Sequence, residues 1–178
     1  GVIILNDESL YKEIISYRDH GREPISGEVI SWGINSRLDN LQAAFLNYFL
    51  SNYNLVIERR RNIARLYNEY LSDLKEINLP PSPENSLDHF DVFQNYEIRA
   101  QNRDALRMYL NEHNIGTLIQ WSGMAIHQHH NLGFTQKLKK ADEFFKKILM
   151  LPMNMFISDD DVMYISQTIK KFYNQGSN

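Results

Sequence analysis

At 178 residues the chain is long enough for one sizeable core, in one domain or a closely joined pair. A net charge of −3, with acids and bases interspersed, carries no electrostatic footprint for nucleic acid or an anionic membrane, and no apolar run approaches the roughly 20 residues that span a bilayer. With no such run and no signal-peptide flank, a cytoplasmic protein is expected, and the absence of cysteine excludes disulfides, thiolate metal sites and a cysteine nucleophile, so the chemistry must use other groups.

The opening "GVIIL" reads as a buried strand with no cap before it, no initiator Met and no basic flank of a signal peptide, the pattern of a point inside a longer protein. Next, "NDESLYKEIISYRDHG" predicts a short amphipathic helix, with acids in its first turn, Leu10, Ile14 and Tyr17 on one face and Gly21 closing it. Arg22 to Gly33, with Pro24 and Gly27, reads as a loop. From Leu38 the positions Leu41, Phe45, Tyr48 and Phe49 follow helical spacing. A second series, Val56, Ile63, Leu66, Tyr70 and Leu74, continues it, so two long helices are expected to meet near Asn52. The basic run Glu58 to Arg61 reads as a solvated helix face, with a subunit contact as the alternative.

"LPPSPENSLDHFD" carries three prolines without periodicity and predicts the boundary between residues 1–78 and 79–178. Beyond it, "VFQNYEIRA" alternates like a strand, and "NRDALRMYLNEHN" predicts a helix capped by Asn102 with Leu106, Tyr109 and Leu110 on one face. "IGTLIQW" reads as a second strand. Two further helices are expected, one carrying Leu138, Ala141, Phe145 and Ile148, the other starting at Ser158 with three acids and ending at Lys170 and Lys171. The fold class is therefore α/β, with an α+β C-terminal part.

Three places hold candidate chemistry. "GINSRLDNLQAAF" gathers Asn35, Ser36, Arg37 and Asp39 at a helix entrance, more hydrogen-bonding capacity than a cap requires; an ordinary capped helix start and an anion site are both open. In "IHQHHNLGF" the residues His127, His129 and His130 lack the spacing of a helical zinc pair and an obvious carboxylate ligand. A structural loop is favoured over metal, with a pocket-lining role second. Gln120 and Trp121, at a predicted strand end, suit either a polar ligand with an apolar ring or a core indole beside a surface amide. No dinucleotide or nucleoside-triphosphate glycine pattern is present.

Several of these stretches share one resemblance. "YRDHGRE" resembles the "RNHGR" segment, "GINSRLDNLQAAFL" the "GxNxRxxxLQAA" signature, "NIGTLIQW" the "GIGT" strand and "ILMLPMNMFISDDDV" the "LSLPxxxxLSxxxV" ending of the DegT/DnrJ/EryC1/StrS sugar aminotransferases. "GVIILNDESL" and the basic helix "RRRNIARLYNEYL" agree in order and spacing. The resemblance implies the C-terminal portion of a fold-type I pyridoxal-phosphate enzyme, long helices plus a small α+β domain, acting as a cytoplasmic homodimer. Such an enzyme moves an amino group from glutamate to a nucleotide-linked keto sugar, as in lipopolysaccharide biosynthesis. It further implies that Asn35 reaches the cofactor phosphate of the neighbouring subunit with Arg37 nearby, and that Gln120, Trp121 and His127 line the sugar side. The family's Schiff-base lysine would fall upstream of Gly1, and none of the nine lysines here stands in its context, so this chain alone is expected to be inactive. "IQWSGMAIHQHH" departs from the "HYPxPxH" pattern of many relatives. The alternatives are a non-catalytic regulatory or binding relative and a helical dimerisation module.

Overall fold

The computed structural model describes residues 2–84 and 90–175; Asn85 to His89, part of the expected connection, lie outside the described residues. The chain packs as two compact units, Gly1–Asn52 and Tyr53–Asn178.

In the first unit, α1 (Glu8–Tyr17) starts where Asp7 accepts from the amides of Ser9 and Leu10, at 2.8 and 3.0 Å. Its end is closed by the Gly21 amide, which donates to the Ser16 carbonyl at 2.9 Å with Gly21 at φ +73°. The helix α2 (Asn40–Ser51) is capped by Asp39, which accepts from the Leu41 amide at 2.7 Å. The expected strand at "GVIIL" is not formed: Val2 to Leu5 have no strand pairing, and Val2, Ile3 and Ile4 are exposed. An extended segment becomes a strand only where a neighbour takes up its backbone donors and acceptors, and no described residue does so here.

The second unit is built on a three-stranded antiparallel sheet, β1 (Ile77–Asn78), β2 (Tyr96–Ala100) and β3 (Ile148–Leu151), with β2 central. The register Tyr96↔Leu151 and Ile98↔Leu149 puts buried side chains in line on one face. Against it pack α3 (Tyr53–Leu71), α4 (Arg103–Glu112) and α6 (Asp159–Gln175), through Ile63, Tyr67, Leu106, Leu110, Val162 and Ile169, all fully buried. The rings of Tyr67 and Tyr96 stack at 4.8 Å; the Tyr67 hydroxyl donates to the Pro152 carbonyl at 2.9 Å. Burial raises the pKa of both phenols above the ordinary value. The start of α6 is a reciprocal cap: Ser158 Oγ accepts from the Asp161 amide at 3.0 Å, and the Asp161 carboxylate accepts from the Ser158 amide at 2.9 Å.

Four expectations need correction here. Ile148 lies in β3, not in a helix with Leu138: the short α5 (Lys139–Phe145) ends first, because the apolar run "ILML" is taken up by pairing with β2. "IGTLIQW" is not a strand. Only Leu118 bridges, to Met150, before a 3-10 turn at Gln120–Gly123 in which Trp121 and Ser122 adopt φ of +52° and +56°, incompatible with extension. Asn102 precedes α4 in a left-handed conformation, φ +51°, and its side chain makes no cap bond. The arginines of the basic run are not a merely solvated face. Arg59 pairs with Asp159 at 2.5 Å and donates to the Ile157 carbonyl; Arg60 donates to the carbonyls of Phe93 and Gln94. Arg61 donates to those of Asp91 and Pro83, both at 2.7 Å, and stacks over the Phe90 ring. The guanidinium fork satisfies loop carbonyls from a rigid helix, and these three bolt α3 to its surroundings.

Candidate functional site

Asn35 and Arg37 belong to the first unit, on a segment sewn to the end of α1. The Ile34 amide donates to the Tyr17 carbonyl at 2.7 Å, the Ser36 amide to that of Arg18 at 2.8 Å, and the His20 amide to that of Ile34 at 3.0 Å. Glycine makes this approach sterically feasible: a Cβ on Gly33 would lie 2.1 Å from the Gly21 nitrogen, and one on Gly21 would lie 1.8 Å from the Ser31 carbonyl oxygen. Within the same loop the Glu23 carboxylate accepts from the Ser26 and Ile25 amides, and these bonds, that from Ser26 foremost, hold its pKa below the ordinary value.

The backbone donors around Asn35 are thus largely occupied, and Asp39 takes a free amide of α2. What remains for an anion is side chains. Arg37 Nε donates to Asn35 Oδ1 at 3.3 Å and stands 3.6 Å from an Asp19 carboxylate oxygen, while the backbones of Asp19 and Asn35 form a bridge. With its oxygen accepting from Arg37, the exposed Asn35 keeps its side-chain NH2 group as a donor. An amide donor beside a guanidinium is a donor set that fits a phosphate. Asp19, unnoticed in the sequence because its partners lie sixteen and eighteen residues on, tempers the charge of Arg37.

Gln120, Trp121 and His127 belong to the second unit. Gln120 and Trp121 share the 3-10 turn after the Leu118 bridge, and Trp121 is 77% exposed, so it is no core residue. Beneath that turn, the Arg103 guanidinium donates to the Ile148 carbonyl at 3.0 Å. A Cβ on Gly123 would lie 3.9 Å from its nitrogens. His127 is buried at 5% exposure, with Nε2 2.9 Å from Asp142 Oδ1. No carboxylate stands near the histidines along the chain; Asp142 is brought to His127 from α5 by packing. His129 is half-buried and His130 exposed, and neither joins the pair.

The sequence matches the DegT/DnrJ/EryC1/StrS aminotransferase family over residues 1–170. The chain belongs to this family. It is 31% identical over 177 residues to the "Pleiotropic regulatory protein" of Geobacillus stearothermophilus, covering 97% of this chain and 47% of that protein. It is 28% identical over 176 residues to the dTDP-3-amino-3,6-dideoxy-alpha-D-galactopyranose transaminase of Aneurinibacillus thermoaerophilus, covering 97% of this chain and 46% of that one. A crystal structure of a family aminotransferase from Brucella abortus superposes with a TM-score of 0.83 at 29% identity, over 95% of this chain and 45% of that one. The chain thus spans about half the length of the relatives it matches, and its helices and small sheet are consistent with a C-terminal portion of the family's fold. No helix among the described residues is long and apolar enough to cross a membrane.

Proposed function

We propose that this chain is the C-terminal segment of a nucleotide-sugar aminotransferase that uses pyridoxal phosphate to move an amino group from glutamate to a nucleotide-linked keto sugar. The observation that carries the reading is the exposed Asn35 amide, oriented by Arg37 on a loop pinned to α1 within the family signature. When bound, pyridoxal phosphate supplies the electron sink for the transfer. The residues here bind and orient: Asn35 donates to the cofactor phosphate of the neighbouring subunit, Arg37 fixes that amide and balances negative charge, and Gln120, Trp121 and His127 line the sugar side. Residues 1–78 are read as the end of the large domain with its connecting helices, α3 being already packed on the small domain 79–178. In α2 the exposed side chains of Leu41, Phe45, Tyr48 and Phe49 suit a cytoplasmic homodimer interface.

On this reading the cofactor-bearing lysine is none of the nine in these residues, and the 178-residue chain by itself is expected to be inactive. A second reading, a non-catalytic regulatory relative, is favoured by the name of the Geobacillus protein. The two are separated by the full-length protein. An absorbing pyridoxal phosphate adduct trapped by borohydride at one lysine outside these residues supports the enzyme, and its absence supports the regulator. For Asn35, mixed dimers of the lysine variant and Asn35→Ala test the shared site. One site collects both defects and the other none, so two nearly inactive proteins regain activity approaching half of wild type per heterodimer, by this counting of sites. No recovery despite confirmed subunit exchange places Asn35 within its own subunit's site or in a structural role.

A further inference from the structure

Asp142 is the point to which the loop after Trp121 is tied. Its Oδ1 accepts from His127 Nε2 at 2.9 Å and from Gln128 Nε2 at 2.7 Å, and Gln128 Oε1 in turn accepts from the Ala125 amide at 2.8 Å. One carboxylate oxygen on α5 therefore holds two consecutive side chains, and the second holds the backbone three residues earlier. Among the described residues, no other side-chain hydrogen bond ties this segment to another element. Between Ile119 and Gly133 it forms only 3-10 turns of three or four residues, and Trp121 and Ser122 sit in left-handed conformations unfavourable for residues with a Cβ. Such conformations persist only where surrounding bonds over-determine them. The turn itself is closed by the Met124 amide, which donates to the Trp121 carbonyl at 3.0 Å. The side-chain bonds that tie the segment to another element are those of Asp142, at 32% side-chain exposure, to the nearly buried His127 and through Gln128 to Ala125.

We propose that Asp142 is the positioning residue of the sugar-binding loop: through His127 and Gln128 it fixes the conformation that presents Gln120 and Trp121 to a nucleotide-linked sugar. This rests on the aminotransferase reading above. A carboxylate at Nε2 also favours the tautomer with the proton there, which leaves Nδ1 as an acceptor that a sugar hydroxyl can donate to. No bond of this network is legible in the sequence, where Asp142 stands fifteen residues from His127 among the charges of a short helix.

The test compares three variants of the full-length enzyme with wild type. Asp142→Ala is expected to raise KM for a dTDP- or UDP-linked keto sugar about tenfold, with kcat and cofactor absorption unchanged. Asp142→Asn keeps an oxygen that accepts from both donors and should return KM to within about threefold of wild type. Gln128→Met removes one of the two bonds to Asp142, together with the bond from the Ala125 amide, keeps the His127 bond and should fall in between. It also keeps the question open to measurement if Asp142→Ala fails to fold. Nitrogen-15 spectra of the 178-residue chain give a readout independent of activity. His127 should be the Nε2–H tautomer in wild type and Asp142→Asn, and Asp142→Ala should lose that preference and shift the Trp121 indole resonance. An unchanged KM in Asp142→Ala, a KM equally raised in the Asn and Ala variants, or a Trp121 resonance indifferent to both overturns the proposal. Failure of the aminotransferase reading is distinct: wild type then neither turns over nor absorbs with pyridoxal phosphate. In that outcome the sugar role falls, and the spectra report on the loop clamp alone.

Discussion

Gly33 crosses Gly21 so closely that a methyl group on Gly33 would lie 2.1 Å from the Gly21 nitrogen. This crossing lets the Ile34 and Ser36 amides reach the end of α1 and so sets where Asn35 stands. Gly33→Ala must push the two strands of chain apart, because the neighbour is backbone. Loss of both bonds should destabilise the first unit by about 2–4 kcal/mol. Hydrogen exchange should show it as lost protection at Ile34 and Ser36, with β2 and β3 amides unchanged.

The arginines of α3 predict a contrast between residues of one type. Arg60 donates to the carbonyls of Phe93 and Gln94 at 3.1 and 2.6 Å, whereas Arg107 on α4 is exposed with no such bond among the described residues. Arg60→Ala should cost about 1–3 kcal/mol in urea unfolding, and Arg107→Ala less than about 0.5 kcal/mol. Equal effects would return the run to a solvated face.

Trp121, 77% exposed, predicts a split between stability and recognition. Trp121→Ala should leave the melting temperature of the chain within about 2 °C of wild type. On the proposed aminotransferase reading it should also raise KM for the sugar in the full-length protein. A large fall in melting temperature with unchanged kinetics would make the indole a core residue.

Alkaline stability follows from the stacked tyrosines. Burial raises the phenol pKa of Tyr67 and Tyr96 in the folded chain above the ordinary value of 10.0. Below that value both states keep their protons and pH has no effect through these groups. Above it the unfolded chain loses protons that the folded chain retains, so stability falls, by at most about 1.4 kcal/mol per pH unit for each phenol. Urea midpoints should decline from about pH 10 upward. The double variant Tyr67→Phe with Tyr96→Phe should flatten the decline, although Tyr67→Phe also leaves the Pro152 carbonyl without its donor.

Local rules already written in the sequence determined a good part of this protein. The acid-led start of α1, the α6 start at Ser158, the break between α2 and α3 at Asn52, the strand around Tyr96 and the Leu106–Leu110 face of α4 all follow from spacing and capping chemistry that act within a few residues. The signature around Asn35 pointed to the family through its order of residues alone. Tertiary structure decided what depends on distant partners. Ile148 had helical spacing with Phe145, yet Ile148–Leu151 became β3 because β2 offered hydrogen bonds and a buried face. "GVIIL" had the composition of a strand and found no described neighbour to pair with. His127 met its carboxylate, Asp142, only when α5 folded back beside the loop, and Arg59 met Asp159 across a hundred residues. Hydrogen bonds and ion pairs of this kind depend on distance in space, which periodicity along a chain does not encode.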